Sequence, residues 1–195
     1  MMGGGRSLMG SVMMGYPFVC VSIGLAINKE IQVGVVYNSV LNEMYTAIKG
    51  KGAFLNDKKI SSSKERELAR SLIITELGSN RKKERLDIVM KNLRTIAEEP
   101  DAAHGIRIGG SAAYNLCTIA RGGADGYFQF GIHVWDIAAG ILIVTEAGGV
   151  VIDPRGECIK QLSSENGPQR MALREWPLEN GPENGPQRMA FREWP

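Results

Sequence analysis

The stretch GIHVWDIAAGILIVTEAGG, residues 131–149, sets one carboxylate, Asp136, at the head of an apolar run that two glycines close. A carboxylate in that place has two uses. It can hold a metal ion or a ligand hydroxyl at the positive end of a helix dipole, or it can serve only as the helix cap. Upstream, Gly110-Ser111-Ala112 opens another helical stretch. Backbone N–H groups at such a helix start can meet an anionic oxygen. The same residues also make a glycine turn and a serine cap, and the two uses are compatible. His104 and His133 are the two histidines of the chain, too few for a His-rich metal site, and His133 reads as a loop or core histidine.

Groups of this kind need a folded frame. The chain has 195 residues, 44% hydrophobic and 23% charged, which suffices for one domain with a sizeable core. The formal net charge is +2 and no Lys/Arg block stands out, so charge gives no support to nucleic-acid binding. Cys20, Cys117 and Cys158 are odd in number and show no CxxC spacing, which favours a reducing compartment over a disulfide framework. From Ser7 to Asn28 there is no charge. Gly10, Gly15, Pro17 and Gly24 break that run, and Val19, Val21, Ile23, Leu25 and Ile27 alternate along its second half. Period two marks a strand rather than a membrane span.

Residues 1–15 are Met/Gly-rich without a period and read as a disordered leader. An antiparallel meander follows: Val19–Asn28, a turn at Lys29-Glu30, Ile31–Asn38, Glu43–Ile48 and Ala53–Leu55. Lys49 and Lys51 fall on a solvated turn of it. Strand and helix then alternate: strand Ser71–Glu76, helix Arg81–Ala97 with Leu86, Val89, Met90, Leu93 and Ile96 on one face, and strand Gly105–Ile108. After these come helix Ser111–Arg121, strand DGYFQF, helix Asp136–Ala147 and strand VVID. The pattern predicts an α/β fold in which the meander lies beside an alternating strand/helix layer. Residues 161–195 carry ENGPQRMALREWP and, again, ENGPQRMAFREWP. Two copies of thirteen residues are too few for a solenoid, and a disordered tail is expected.

Four stretches together resemble the inositol monophosphatase family: PFVCVSIGLAINKEIQVGVVYN, MYTAIKGKGAFLN, HGIRIGGSAAYNLCTIARGGADGYF and WDIAAGILIVTEAGGVVID. The resemblance places one partial domain at residues 16–160. It implies a layered αβαβα fold, here incomplete. It further implies Mg²⁺-dependent, lithium-sensitive hydrolysis of myo-inositol phosphate, a cytoplasmic location and a dimer. By the same resemblance Asp136 is a metal ligand that also meets a substrate hydroxyl. Gly110, Ser111 and Ala112 correspond to the family's G-T-A segment at the substrate. Gln129 stands where some relatives place a Glu that accepts hydrogen bonds from inositol; Gln keeps an acceptor, adds a donor and removes charge. Trp135 is expected to pack, and Glu146 to belong to the helix end without a catalytic role.

The family also uses an upstream Glu-Glu and a D-P-x-D-G-T motif, which hold most of the metal ligands. No Asp or Glu precedes Glu30 in this chain. Asp153-Pro154-Arg155-Gly156 lacks the second Asp, and Glu98-Glu99 closes a helix before Pro100. The resemblance therefore implies Mg²⁺ as cofactor and inositol phosphate as substrate, while no complete catalytic set is present. Weak or absent activity is expected, and the alternative is a non-catalytic partner that dimerises with an intact relative.

Overall fold

The computed structural model describes residues 15–78, 81–152 and 159, and the backbone of the strand at 169–173. The alternating N-terminal residues form β1 (Val21–Ile27) and β2 (Glu30–Asn38). Asn28 and Lys29 join them with φ of 52° and 67°, the left-handed pair that a tight hairpin demands. The turn thus sits one residue earlier than the sequence suggested. β3 (Glu43–Ile48), β4 (Gly52–Leu55) and the short β5 (Lys58–Lys59) complete an antiparallel sheet in the order β1-β2-β3-β4-β5.

Next come β6 (Leu72–Thr75), α1 (Lys83–Ala97), β7 (Gly105–Arg107), α2 (Ala112–Ala120), β8 (Gly126–Ile132), α3 (Val134–Glu146), β9 (Val151–Ile152) and β10 (Gln169–Leu173). The second sheet runs β7-β6-β8-β10-β9. β6 is parallel to both β7 and β8. The crossover through α1 steps outward to β7 and the one through α2 steps back to β8. Right-handed crossovers of opposite direction put their helices on opposite faces.

The first sheet meets α3 through small residues. A Cβ on Gly34 would lie 2.6 Å from the Ala139 carbonyl oxygen, and one on Gly24 would lie 3.1 Å from the Ala138 Cβ. Around this contact Val36, Tyr45, Ala47 and Ala53 are buried. α3 and α2 cross as closely: a Cβ on Gly140 would lie 2.4 Å from Leu116 Cδ1. Ile137, Ile143 and Val144 are fully buried, each worth about 1.5–3 kcal/mol of transfer free energy. The α2–α3 pair is the hydrophobic centre of the molecule. The opposite face of the first sheet is open among the described residues, with Val21, Ile23, Leu25, Ile27 and Ile48 all exposed.

Three expectations are corrected. Residues 169–173, inside the segment read as a disordered tail, form a strand that pairs with β8 and β9. Main-chain pairing to an open sheet edge needs no hydrophobic pattern, so composition could not reveal it. The rest of residues 161–195 and the leader 1–14 lie outside the described residues. Trp135 does not pack into the core. It is 70% exposed and stacks on the His133 ring at 4.5 Å. The last helix begins two residues before Asp136, because His133 takes the cap.

Candidate functional site

The loop from β7 to α2 is built on a buried carboxylate. Glu76, just past the end of β6, is 9% exposed. Its Oε1 accepts N–H donors from Gly109 at 2.9 Å, Gly110 at 2.5 Å and the Asn115 side chain at 2.8 Å. Gly110 has φ of +91°, which favours glycine, and a Cβ on Gly109 would lie 2.6 Å from Asn115 Oδ1. The Gly110 N–H is thereby turned inward. Ser111 caps α2, its Oγ accepting from the Tyr114 N–H at 3.4 Å. The helix geometry leaves the N–H groups of Ala112 and Ala113 without an intrahelical acceptor. They are the donors that this helix start offers to an anion.

Two contacts hold the loop from behind. Cys20 Sγ lies 3.5 Å from Ser111 Oγ, and burial pushes its thiol pKa up. The Tyr114 and Tyr45 hydroxyls both donate to Glu43 Oε2 at 2.7 Å, tying α2 to the first sheet. Burial and then the Glu43 hydrogen bond raise both phenols above the ordinary tyrosine range.

Gln129 lies on β8, and its Oε1 accepts the Tyr127 O–H. Tyr127 is buried. Burial first, then the negative charges of Glu76 and Asp136, push the Tyr127 pKa well up. Asp136 itself is exposed, in the first turn of α3. Its Oδ2 accepts the His133 N–H at 3.0 Å, the reciprocal arm of a capping box. One oxygen of the carboxylate thus serves the cap of its own helix.

Mg²⁺ wants several oxygen ligands in near-octahedral array. Among the described residues no three Asp, Glu, His or Cys side chains converge. With no Asp or Glu before Glu30, the described residues do not fit the ion. The sequence singled out Ser111, Gln129 and Asp136 but not Glu76, Asn115 and Glu43, which hold the turn and the helix behind it. An isolated polar residue in an apolar stretch, such as Glu76 after SLIIT or Asn115 inside AAYNLCTIA, was the available signal. Glu146, given no catalytic role, has a structural one. Its two oxygens accept the Gly50 and Gly52 N–H groups, each at 2.7 Å.

No helix among the described residues is long and apolar enough to cross a membrane. Residues 13–181 match the inositol monophosphatase family. Inositol monophosphatase 1 from Homo sapiens is 51% identical over 141 residues, covering 72% of this chain and 50% of that protein. The Mus musculus protein gives the same figures. The chain thus spans about half the length of the curated relatives it matches. Among solved structures, inositol monophosphatase from Anabaena (Nostoc) superposes with TM-score 0.71 at 33% identity, covering 85% of this chain and 62% of that one. SuhB from Bartonella henselae superposes with TM-score 0.72 at 33% identity, covering 85% and 60%. The layered α/β frame and the Gly110–Ser111 turn are thus found in a chain that belongs to the inositol monophosphatase family.

Proposed function

We propose that this chain is an inositol monophosphatase-like domain that keeps the substrate-holding part of a phosphatase and lacks the part that gathers metal. The substrate class is an inositol phosphate. Its phosphate meets the α2 helix start at Ser111 and Ala112, behind the Gly110 turn, and its hydroxyls meet Gln129 and Asp136. The whole protein's reaction is hydrolysis of myo-inositol phosphate to inositol and phosphate, with Mg²⁺ supplied through the family's carboxylates. This chain alone hydrolyses the ester weakly or not at all. One observation carries that reading: the loop around Gly110 is held by hydrogen bonds to the buried Glu76, while among the described residues Asp136 belongs to no cluster of metal-ligating side chains. Metal-assisted hydrolysis needs ions that activate water and neutralise the leaving oxygen, and a lone carboxylate cannot hold them.

The test is phosphate release from inositol 1-phosphate by the purified chain, with Mg²⁺ and with EDTA, beside Asp136→Asn. No release above the uncatalysed level, together with binding of the ester in calorimetry, supports the proposal. Metal-dependent turnover that Asp136→Asn removes defeats the inactive reading.

A second reading concerns partners. The open apolar face of the first sheet favours a dimer, with another copy or with an intact relative. Sedimentation of the chain alone and co-purification with a full-length relative distinguish the two. A cytoplasmic location rests on the free thiols of Cys20 and Cys117.

A further inference from the structure

β10 (Gln169–Leu173) lies inside the second sheet, with β8 on one side and β9 on the other. Among the described residues β9 joins the sheet through β10 alone. The register pairs Met171 with Gln129, Ala172 with Phe128 and Ile152, and Leu173 with Tyr127 and Val151. Between Gln169 and Met171 it shifts, so that Phe130 and Gly131 stand opposite Arg170 alone. Gly131 has φ of +76°, which lets β8 make that bulge. The slot between β8 and β9 is thus defined by main-chain pairing on both sides and by one bulge.

Its occupant, QRMAL, is the middle of ENGPQRMALREWP, residues 165–177. The same thirteen residues return at 183–195, changed only where Phe191 stands for Leu173. A fit that residues 169–173 satisfy is therefore open to residues 187–191. In that pairing Met189 takes the register position opposite Gln129, and Phe191 the one opposite Tyr127. We propose that the slot between β8 and β9 accepts either copy of the repeat, so that residues 187–191 exchange with residues 169–173 as its strand within one chain.

Two opposed effects set the balance. Reaching the second copy closes a loop of residues 153–186 in place of 153–168, about twice the length, which disfavours it about threefold. An aromatic residue directly across from Tyr127 favours it by up to about fivefold. The two occupants are therefore of similar weight. A copy tethered to its own slot meets it at about millimolar effective concentration, so a second chain in dilute solution does not compete. The exchange keeps a strand beside Gln129 in both states. It decides which copy leaves the sheet, the one at the chain end or the one inside the longer loop. The inference does not depend on the substrate reading.

The test is urea unfolding of the full chain and three proline variants. Proline cannot donate to a ladder and is excluded from the interior of a sheet. Ala172→Pro removes the first copy from the slot, and Ala190→Pro removes the second. Each alone should lower the folded-to-unfolded ratio by about fourfold or less, because the other copy takes its place. The two together should lower it by at least about a further tenfold, the scale of buried ladder bonds left unmade. A loss in Ala172→Pro as large as in the double variant means that the slot takes one copy, and overturns the proposal. A double variant as stable as the native chain overturns it too.

Disulfide trapping reads the exchange without proline. Directly paired residues of an antiparallel ladder lie at a Cα separation that a disulfide can span. Gln129→Cys, Met171→Cys and Met189→Cys are combined in a full chain whose Cys20, Cys117 and Cys158 are replaced by alanine. After mild oxidation, peptide mass mapping should find position 129 joined to 171 and to 189, each in at least about a tenth of the chains. A smaller share joined to 189 overturns the exchange, and bridges between chains in place of bridges within one overturn its single-chain form.

Discussion

Two candidate ligand-binding regions, the turn at Gly110 and the start of α3 at Asp136, are built differently. Around Gly110 every backbone donor that points inward meets a buried partner, and Glu76, Asn115, Tyr114 and Glu43 brace the turn from behind. Around Asp136 one exposed carboxylate closes its own helix cap, and Trp135 stacks in the open on His133. A site that holds an ester can be assembled by local packing against α2. A site that gathers metal ions needs carboxylates brought from several segments, and among the described residues no such cluster forms. Among the described residues the Gly110 turn is thus braced by hydrogen bonds to a buried carboxylate, while Asp136 closes a helix cap.

That contrast can be broken by substitution. Glu76→Leu should have the largest effect. It leaves the N–H groups of Gly109, Gly110 and Asn115 buried without an acceptor, a loss of about 3–5 kcal/mol in urea unfolding. A loss under about 1 kcal/mol would mean that the turn is not braced. Gly34→Ala probes the support of α3, which carries Asp136. The Ala139 carbonyl is backbone and cannot move aside cheaply, so about 1–3 kcal/mol should be lost by the same measurement.

The tyrosine pair sharpens the contrast through pH. The folded pKa values of Tyr45 and Tyr114 are raised, by burial first and Glu43 second. A folded pKa above the unfolded one contributes stability below the unfolded value, about 10 for tyrosine, and that contribution is lost as pH rises past it. The unfolding midpoint should therefore hold to about pH 9.5 and fall above 10, less steeply in Tyr114→Phe. Asp136→Ala should lose only about 0.5–1 kcal/mol, the size of a helix cap, with no change in phosphate release. The smallest effect belongs to Thr75→Val. Thr75 Oγ1 is buried without a hydrogen-bond partner, so a methyl of the same shape should leave the melting temperature unchanged or raise it slightly.

The frame was legible where periodicity is strong. The alternating residues before Asn28, the helical face of Leu86 to Ile96 and the glycine-stopped run after Asp136 all gave elements in the right order. Boundaries slipped where side chains rather than patterns decide them. His133 took the cap that the sequence offered to Asp136, and that moved Asp136 to the reciprocal arm of a capping box. Gly110, Ser111 and Gln129 were singled out by the family resemblance. Glu76 was not, since thirty-three residues separate it from Gly109 and only the parallel strands β6 and β7 bring them together. Long-range hydrogen bonds leave no local period to read. The strand at 169–173 escaped for a related reason: its pairing is carried by main chain.

The turn at Lys49–Lys51 looks, by composition, like ordinary wet surface. Glu146 changes what it is. Two backbone amides of the turn are chelated by one carboxylate at the far end of the central helix, so the tip of the hairpin is bolted to the middle of the molecule. In hydrogen–deuterium exchange the Gly50 and Gly52 amides should keep their protons far longer than their exposure suggests, falling in step with the helix rather than with the other turns. Seen that way, the most solvated loop of the meander is a fastener, and the first sheet and the last helix open together or not at all.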